Sequence, residues 1–265
     1  MNGWQAALLG IIQGLTEFLP VSSSGHLVLS QALLGLKLPG VTFEVVVHLA
    51  TLCAVLWVYR AKVASLASGA LAGRKAAWIY IGLLALASIP AAVVGIAGEG
   101  FFTGLFGKPV WAAVFLVVTG FIVWSIQYTA PKETKAQPGP GDAFKIGLAQ
   151  AMAILPGISR SGSTVATGAA LGIDAVKVAE FSFLMSVPAI LGAGLLQVDE
   201  IGAIADSGGA LSLSIGFAAA LVSGIAAIHL FVRMLENRTF HWFAIYCWFV
   251  GSGYLLAAFF LPGLR

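Results

Sequence analysis

Long apolar stretches dominate this chain, and they confine it to folds that live in a lipid bilayer. Five of them, with polar ends, run over about 42–59, 76–98, 109–128, 211–233 and 241–262, each close to the ~20 residues a helix needs to cross the hydrocarbon. A sixth, about 177–198, carries Glu180 and Pro188 and is still long enough. Trp57, Trp78, Trp111, Trp124 and Trp242 fall near the ends of these runs, where an interfacial aromatic belt would place them. Composition agrees, since 9% of the 265 residues are charged and 59% are hydrophobic, against roughly a quarter charged in a soluble domain. No stretch is left for a separate soluble domain, so residues 1–265 are expected to form a single integral membrane domain. Cys53 and Cys247 lie inside apolar runs, which gives no support to a disulfide framework, a thiolate metal site or redox chemistry. The net charge of +3 is small and scattered, whereas a nucleic-acid partner would need a basic face.

Two other apolar stretches, 2–35 and 142–172, are cut near their centres by polar clusters. These are Leu19-Pro20-Val21-Ser22-Ser23-Ser24-Gly25 and Leu155-Pro156-Gly157-Ile158-Ser159-Arg160-Ser161-Gly162. Proline removes a helix donor, and a run of Ser and Gly disfavours helix continuation. Each half is then about 12–16 residues, too short to span alone, which points to a re-entrant hairpin dipping to mid-membrane. The alternative is one kinked transmembrane helix at each place. The expected fold is therefore all-α and polytopic, with six transmembrane helices plus two re-entrant helical hairpins.

Loop charges set the orientation by the positive-inside rule. Arg60, Lys62, Arg74 and Lys75 in the 60–75 loop, Lys132, Lys135 and Lys145 in 129–145, and Arg233 and Arg238 in 233–240 mark three cytoplasmic loops. The segments 99–108 and 199–210 carry little positive charge and are expected outside, which puts both termini outside as well. No basic segment precedes the first apolar run, so no cleavable signal peptide is expected.

Sliding the chain against itself by 137 positions aligns Gly10 with Gly147, Gln13 with Gln150, Ser22 with Ser159, Ser24 with Ser161 and Gly25 with Gly162. Leu34-Gly35 falls on Leu171-Gly172, while Pro20 and Pro156 miss by one. Each unit, about 1–128 and about 138–265, holds one hairpin and three crossings. An odd number of crossings turns the second unit upside down, which makes an inverted repeat. The hairpins would then enter from opposite faces and meet at the midplane around a shared polar chamber.

That chamber would hold Gln13, Glu17, Ser22, Ser23, Ser24, Gly25 and His26 from the first cluster, and Ser159, Arg160, Ser161, Gly162, Ser163 and Thr164 from the second. Charge at this depth is costly, which makes it a functional candidate by default. Gln13 and Glu17 are one helical turn apart, and a carboxylate beside an amide oxygen suits Mg²⁺ or Ca²⁺ better than zinc. Glu17 could equally neutralise Arg160. The N-terminus of each second half-helix offers free N–H groups and a positive dipole end to phosphate, and Arg160 adds a planar fork for it. The Ser and Thr residues would also cap these half-helices. His26 lies within four residues of Ser22, Ser23 and Ser24, near enough to activate a hydroxyl; its bland reading is a histidine donating to a backbone carbonyl. Glu44 and His48, one turn apart near the outer end of the first crossing, are read as interfacial. Glu180 either lines the cytoplasmic approach or snorkels, His229 and His241 receive no role, and Pro90 and Pro188 are read as kinks.

The segments Gln13-Gly-Leu-Thr-Glu17-Phe-Leu-Pro-Val-Ser-Ser-Ser-Gly-His26 and Pro156-Gly-Ile-Ser-Arg-Ser-Gly-Ser-Thr164 resemble the two signature motifs of the BacA-type undecaprenyl pyrophosphate phosphatases. The similarity covers the whole chain. The family motif has Glu or Gln, three residues, then Glu; Gln13 is the allowed variant and weakens the case for two carboxylates on one metal. Ser24 stands where some relatives look to have Thr. The resemblance implies hydrolysis of undecaprenyl diphosphate to undecaprenyl phosphate and inorganic phosphate with a divalent cation. It places the protein in the bacterial cytoplasmic (inner) membrane, with a site opening to the periplasm, in recycling of the peptidoglycan carrier lipid and in bacitracin resistance.

Combined, these readings give Glu17, Ser23, His26 and Arg160 catalytic roles. Gln13, Ser22, Ser24, Gly25, Ser159, Ser161, Gly162, Ser163 and Thr164 would bind substrate, and Glu17 with Gln13 would hold the cation. Attack would come from Ser23 activated by His26, or from water with His26 as base. The expected partners are a polyprenyl diphosphate and membrane lipid, with room for a homodimer and no nucleic acid. The rival class is a lipid flippase or secondary transporter, since broken helices in inverted repeats are also a transporter design.

Overall fold

A computed structural model describes residues 1–36, 42–129, 135–196, 209–261 and 263. Among these residues the regular structure is helical. In chain order the helices are α1 (Gly3–Phe18), α2 (Ser23–Leu33), α3 (Thr42–Val58), α4 (Arg60–Leu71), α5 (Lys75–Ala97), α6 (Glu99–Phe106), α7 (Pro109–Thr129), α8 (Pro140–Met152), α9 (Arg160–Ala170), α10 (Ala175–Leu196), α11 (Ala210–Glu236) and α12 (Trp242–Phe260).

Five of them, α5, α7, α10, α11 and α12, are long and apolar enough to cross a bilayer. The sixth expected crossing is α3, whose 17 residues reach about 26 Å at 1.5 Å per residue, slightly under the ~30 Å hydrocarbon core. It counts as a span only together with α4, which leaves it at a bend of 77°. The segments expected as plain loops at 60–75 and 99–108 therefore carry the short helices α4 and α6. Both are short, and the charges within or beside them, Arg60, Lys62 and Arg74 for α4 and Glu99 and Lys108 for α6, make them look like loops in the sequence.

Both polar clusters break a helix where expected. The first half-helix, α1, ends at Leu19, whose extended backbone (φ −64°, ψ 146°) is what a following proline enforces. Ser22 then sits at φ +66° and caps α2, its Oγ accepting from the Gly25 N–H at 3.3 Å. In the second cluster Ser159 caps α9, its Oγ accepting from the Gly162 N–H at 3.1 Å. Both second half-helices finish alike. Gly35 (φ +63°) and Gly172 (φ +84°) adopt the left-handed conformation, and the paired bonds Leu36 N to Gln31 O and Ile173 N to Gly168 O close Schellman turns. Five positions aligned by the internal shift thus do the same structural work in the two halves.

The halves interlock. The helix α1 packs along α11 of the other half, α8 packs along α5, and α7 packs on α12. Small residues permit these approaches: Gly10 abuts the Gly216 carbonyl, Gly14 abuts the Ala220 carbonyl, and Gly147 abuts the Ala87 carbonyl. Apolar side chains gain little from leaving lipid, so close backbone approach of this kind carries helix association in membranes. A buried aromatic cluster then fixes the end of α1, where Phe18 meets Phe183 of α10 edge-on at 5.2 Å and Phe183 meets Phe231 of α11 at 5.4 Å. The outward faces stay apolar, with Trp57, Trp78, Trp111 and Trp242 exposed.

A Gly147→Val substitution would drive side-chain carbons into the Ala87 backbone. It is expected to lower stability by about 1–3 kcal/mol, as overpacking does, read as an earlier thermal transition of detergent-purified protein; an unchanged transition would show that the α5–α8 seam can separate.

Candidate active site

The breaks in the two half-helix pairs touch each other. A Cβ on Gly25 would lie 2.9 Å from the Gly157 Cα, and one on Gly162 would lie 3.2 Å from the Pro20 Cβ. Each helix N-terminus thus rests against the opposite break, where a Cβ would overlap its neighbour at Gly25 and crowd it at Gly162. The Ser161 hydroxyl ties the two together by donating to the Leu19 carbonyl at 3.1 Å. Beside this junction is a cavity of about 430 Å³, lined among others by Glu17, Ser22, Ser23, Ser24, Ser159 and Arg160.

Glu17 is the hub. Its Oε1 accepts from the Arg160 Nη2 at 2.6 Å, while its Oε2 accepts from the Ser23 hydroxyl at 2.6 Å and from the Gln13 Nε2 at 3.0 Å. The imidazole Nε2 of His48 lies 3.5 Å from the same Oε2. Gln13 and Glu17 are buried, and the carboxylate is held by groups from four helices, α1, α2, α3 and α9. A charge so placed is tolerable because it is paired and hydrogen-bonded. Arg160 is fixed from its other side, its Nη1 donating to the Ser182 carbonyl at 3.1 Å.

A second framework holds the Gly157–Ser159 turn. The Thr119 hydroxyl on α7 donates to the Gly157 carbonyl at 2.7 Å and accepts from the Ser159 N–H at 3.0 Å. Thr164 donates to the Arg160 carbonyl at 2.7 Å and lies 2.7 Å from the Ser182 hydroxyl. Hydroxyl pairs flank both caps, Ser22 with Ser24 at 3.3 Å and Ser159 with Ser161 at 3.2 Å.

His26 is placed differently from the sequence expectation. Its Nδ1 donates to the Ser22 carbonyl at 2.8 Å, which leaves Nε2 to accept from the Tyr246 hydroxyl at 2.9 Å. The rings of His26 and Tyr246 stack with centroids 5.5 Å apart. His26 therefore braces the back of the Ser22 turn, and the group in contact with the Ser23 hydroxyl is Glu17. The imidazole that lines the cavity is that of His48, a residue the sequence places at the interface. Its Nδ1 donates to the Glu44 carbonyl at 2.6 Å, aiming Nε2 at Glu17. Glu180, left open by the sequence, pairs with Lys62 at 2.9 Å.

Sequence reasoning also missed Thr119, Ser182 and Tyr246. Each lies in an apolar run far from the motifs, and nothing local marks it.

Oxygen chemistry around Glu17 fits a hard divalent cation. Gln13 Oε1 is buried without a hydrogen-bond partner, next to a carboxylate, and both are ligands such ions prefer. Among the described residues no group of three or more His, Cys, Asp or Glu could hold a metal. The protein would thus supply only part of a coordination shell, as is usual where Mg²⁺ is shared with substrate phosphates.

A family model described as Bacitracin resistance protein BacA matches residues 6–253. The undecaprenyl-diphosphatase of Desulfatibacillum aliphaticivorans is 39% identical over 98% of this chain and 100% of its own length. That of Methanobrevibacter smithii is 39% identical over 93% of this chain and 94% of its own length, and that of Syntrophotalea carbinolica 40% identical over 95% and 97%.

Thr119→Val removes one donor and one acceptor from a buried turn. Leaving those backbone groups unsatisfied is expected to cost about 1–3 kcal/mol, with Thr119→Ser close to the parent. Thermal unfolding in detergent distinguishes the two, and a Thr119→Val transition at the parent temperature would show that the hydroxyl does not hold the turn.

Proposed function

The chain belongs to the BacA family, and from that membership we propose that it is a membrane hydrolase converting undecaprenyl diphosphate to undecaprenyl phosphate and inorganic phosphate. The observation that carries this reading at the residue level is the linked set Arg160–Glu17–Ser23 at the contact between the two helix breaks. The names of the relatives favour hydrolysis over the flippase alternative. Such an enzyme returns the carrier lipid to peptidoglycan assembly, which accords with the family's link to bacitracin resistance.

The diphosphate headgroup would occupy the cavity beside the junction. Arg160 turns its fork from Glu17 to the terminal phosphate oxygens, and the free N–H groups at the starts of α2 and α9 receive the remaining charge. Such preorganised donors supply most of the rate in phosphoryl transfer. The Ser23 hydroxyl already donates to Glu17, so as its Oγ attacks the terminal phosphorus the proton passes to that carboxylate. The bond to the bridging oxygen breaks, undecaprenyl phosphate leaves, and a phosphoserine remains. Glu17 gives its proton up to the departing lipid phosphate, then takes one from the water that attacks the phosphoserine and passes it to Ser23 Oγ as the Oγ–P bond breaks and inorganic phosphate departs. His26 acts on this sequence through the Ser22 carbonyl, as a positioning residue. Glu17 and Gln13 would hold Mg²⁺ or Ca²⁺, which when bound neutralises phosphate charge.

The protein is multi-pass. For its setting we propose the bacterial cytoplasmic membrane, with both termini outside and the site open to the periplasmic side. The loop charges support that orientation, and the matched caps and the reciprocal packing of α1 on α11 and α8 on α5 support two repeat units of opposite sense.

Purified protein given a prenyl diphosphate should release phosphate without a second compartment. Arg160→Ala and Glu17→Ala should each lower that release by about 10²–10³-fold or more while the protein still purifies as a monodisperse species; near-normal turnover would remove the residue from the scheme. Ser23→Ala should be similarly impaired, and acid quenching of the parent should trap label on Ser23; an active Ser23→Ala would transfer the attack to water. Chelation by EDTA should stop turnover and added Mg²⁺ restore it, whereas full activity in EDTA would dismiss the cation.

A further inference from the structure

The cavity at Glu17 does not end there. A second space of about 290 Å³ adjoins it, and Ser24, His48 and Phe106 line both. Its own walls are Leu27 from α2, Val45 from α3, and Ala189 and Ile190 from α10, joined by Glu44, whose carboxylate accepts from the Gln31 Nε2 at 3.0 Å. Polar groups at the headgroup end give way within one side chain to hydrocarbon, and half-buried Phe106 stands at the boundary. A molecule bound in both spaces must carry a charged end joined directly to an apolar chain.

We infer that this groove between α2, α3 and α10 is the subsite for the first isoprenoid units of the lipid substrate. The inference rests on the hydrolase reading above and adds where the chain leaves the headgroup. A larger apolar groove of about 610 Å³ lies between α3, α4, α5 and α10, lined among others by Val63, Ile81 and Leu184. It shares no lining residue with the headgroup cavity, so a chain seated there would not have its diphosphate at Arg160. Groove walls come from the halves of α3 and α10 that the loop charges place toward the outside, and from α6 beside them. Chain and headgroup would therefore enter together from the outer leaflet, sideways between α3 and α10, with Phe106 packing on the first unit.

Farnesyl diphosphate carrying a diazirine near its diphosphate end tests the placement. After irradiation with the intact protein in detergent, label is expected on peptides containing Phe106 or Ile190. Label confined to α4 and α5, around Val63 and Ile81, would overturn the inference. Kinetics give a second arm. Filling the groove with Ile190→Trp should raise KM for farnesyl diphosphate on the order of tenfold, equivalent to about 1.4 kcal/mol of lost chain binding, with kcat little changed. If that variant does not fold, Val45→Phe narrows the same groove. An unchanged KM in a folded variant would overturn the inference. Phosphate release by the parent protein is scored separately: its absence would sink the hydrolase reading, whereas release with label elsewhere would sink only the subsite.

Discussion

A buried carboxylate paired with a half-buried guanidinium holds this molecule's two helix breaks in register. Glu17 comes from the first break and Arg160 from the second, and their 2.6 Å contact spans 143 residues of sequence. Each charge is offset by the other in a part of the fold that excludes most solvent. The pair thus ties the two breaks to each other directly. Ser182 and Ser23 take up the remaining hydrogen-bonding capacity at the two ends of the pair.

Bringing two irregular segments so close demands small residues, and these are what the sequence places there. Gly25 on Gly157 and Gly162 on Pro20 are reciprocal contacts, each setting a helix N-terminus against the opposite turn. The same economy of size recurs further out, where Gly10, Gly14 and Gly147 let α1 and α8 lie directly on their partners. Position of the site and packing of the bundle are thus one property: widening a glycine seam would move a half-helix, and with it Glu17 or Arg160.

Much of this is legible in the sequence because chain breaks and buried charges are local signals. Pro20 with three serines, and Pro156-Gly157 with Ser159-Arg160, interrupt apolar runs and so announce themselves, as do six helix-length stretches. Tertiary choices are not local. His48 lies four residues from Glu44 in a spacing that suits an interface, and only the packing of α3 beside α1 turns its ring toward Glu17. Thr119 is a threonine in an apolar helix, where the default partner is its own backbone; its actual partners, Gly157 and Ser159, belong to a segment 38–40 positions away. His26 shows the converse case, where the plainer of the two readings matches the geometry. Nearness in sequence to Ser23 suggested a proton relay, but one helical turn places its Nδ1 on the Ser22 carbonyl instead.

The resting arrangement also bears on which ligands can be handled. Arg160 is already satisfied by a carboxylate, and Ser23 is already bonded to the same group, so a headgroup gains from them only by offering more charge than one carboxylate does. A diphosphate meets that condition, and in the proposed scheme it would engage both half-helix N-termini at once. A lipid monophosphate has one phosphate to offer, and the Glu17–Arg160 contact can close again behind it. The competition between an internal carboxylate and a phosphate for one guanidinium would thus favour capture of the substrate and release of the product at the same site, without any larger rearrangement of the bundle.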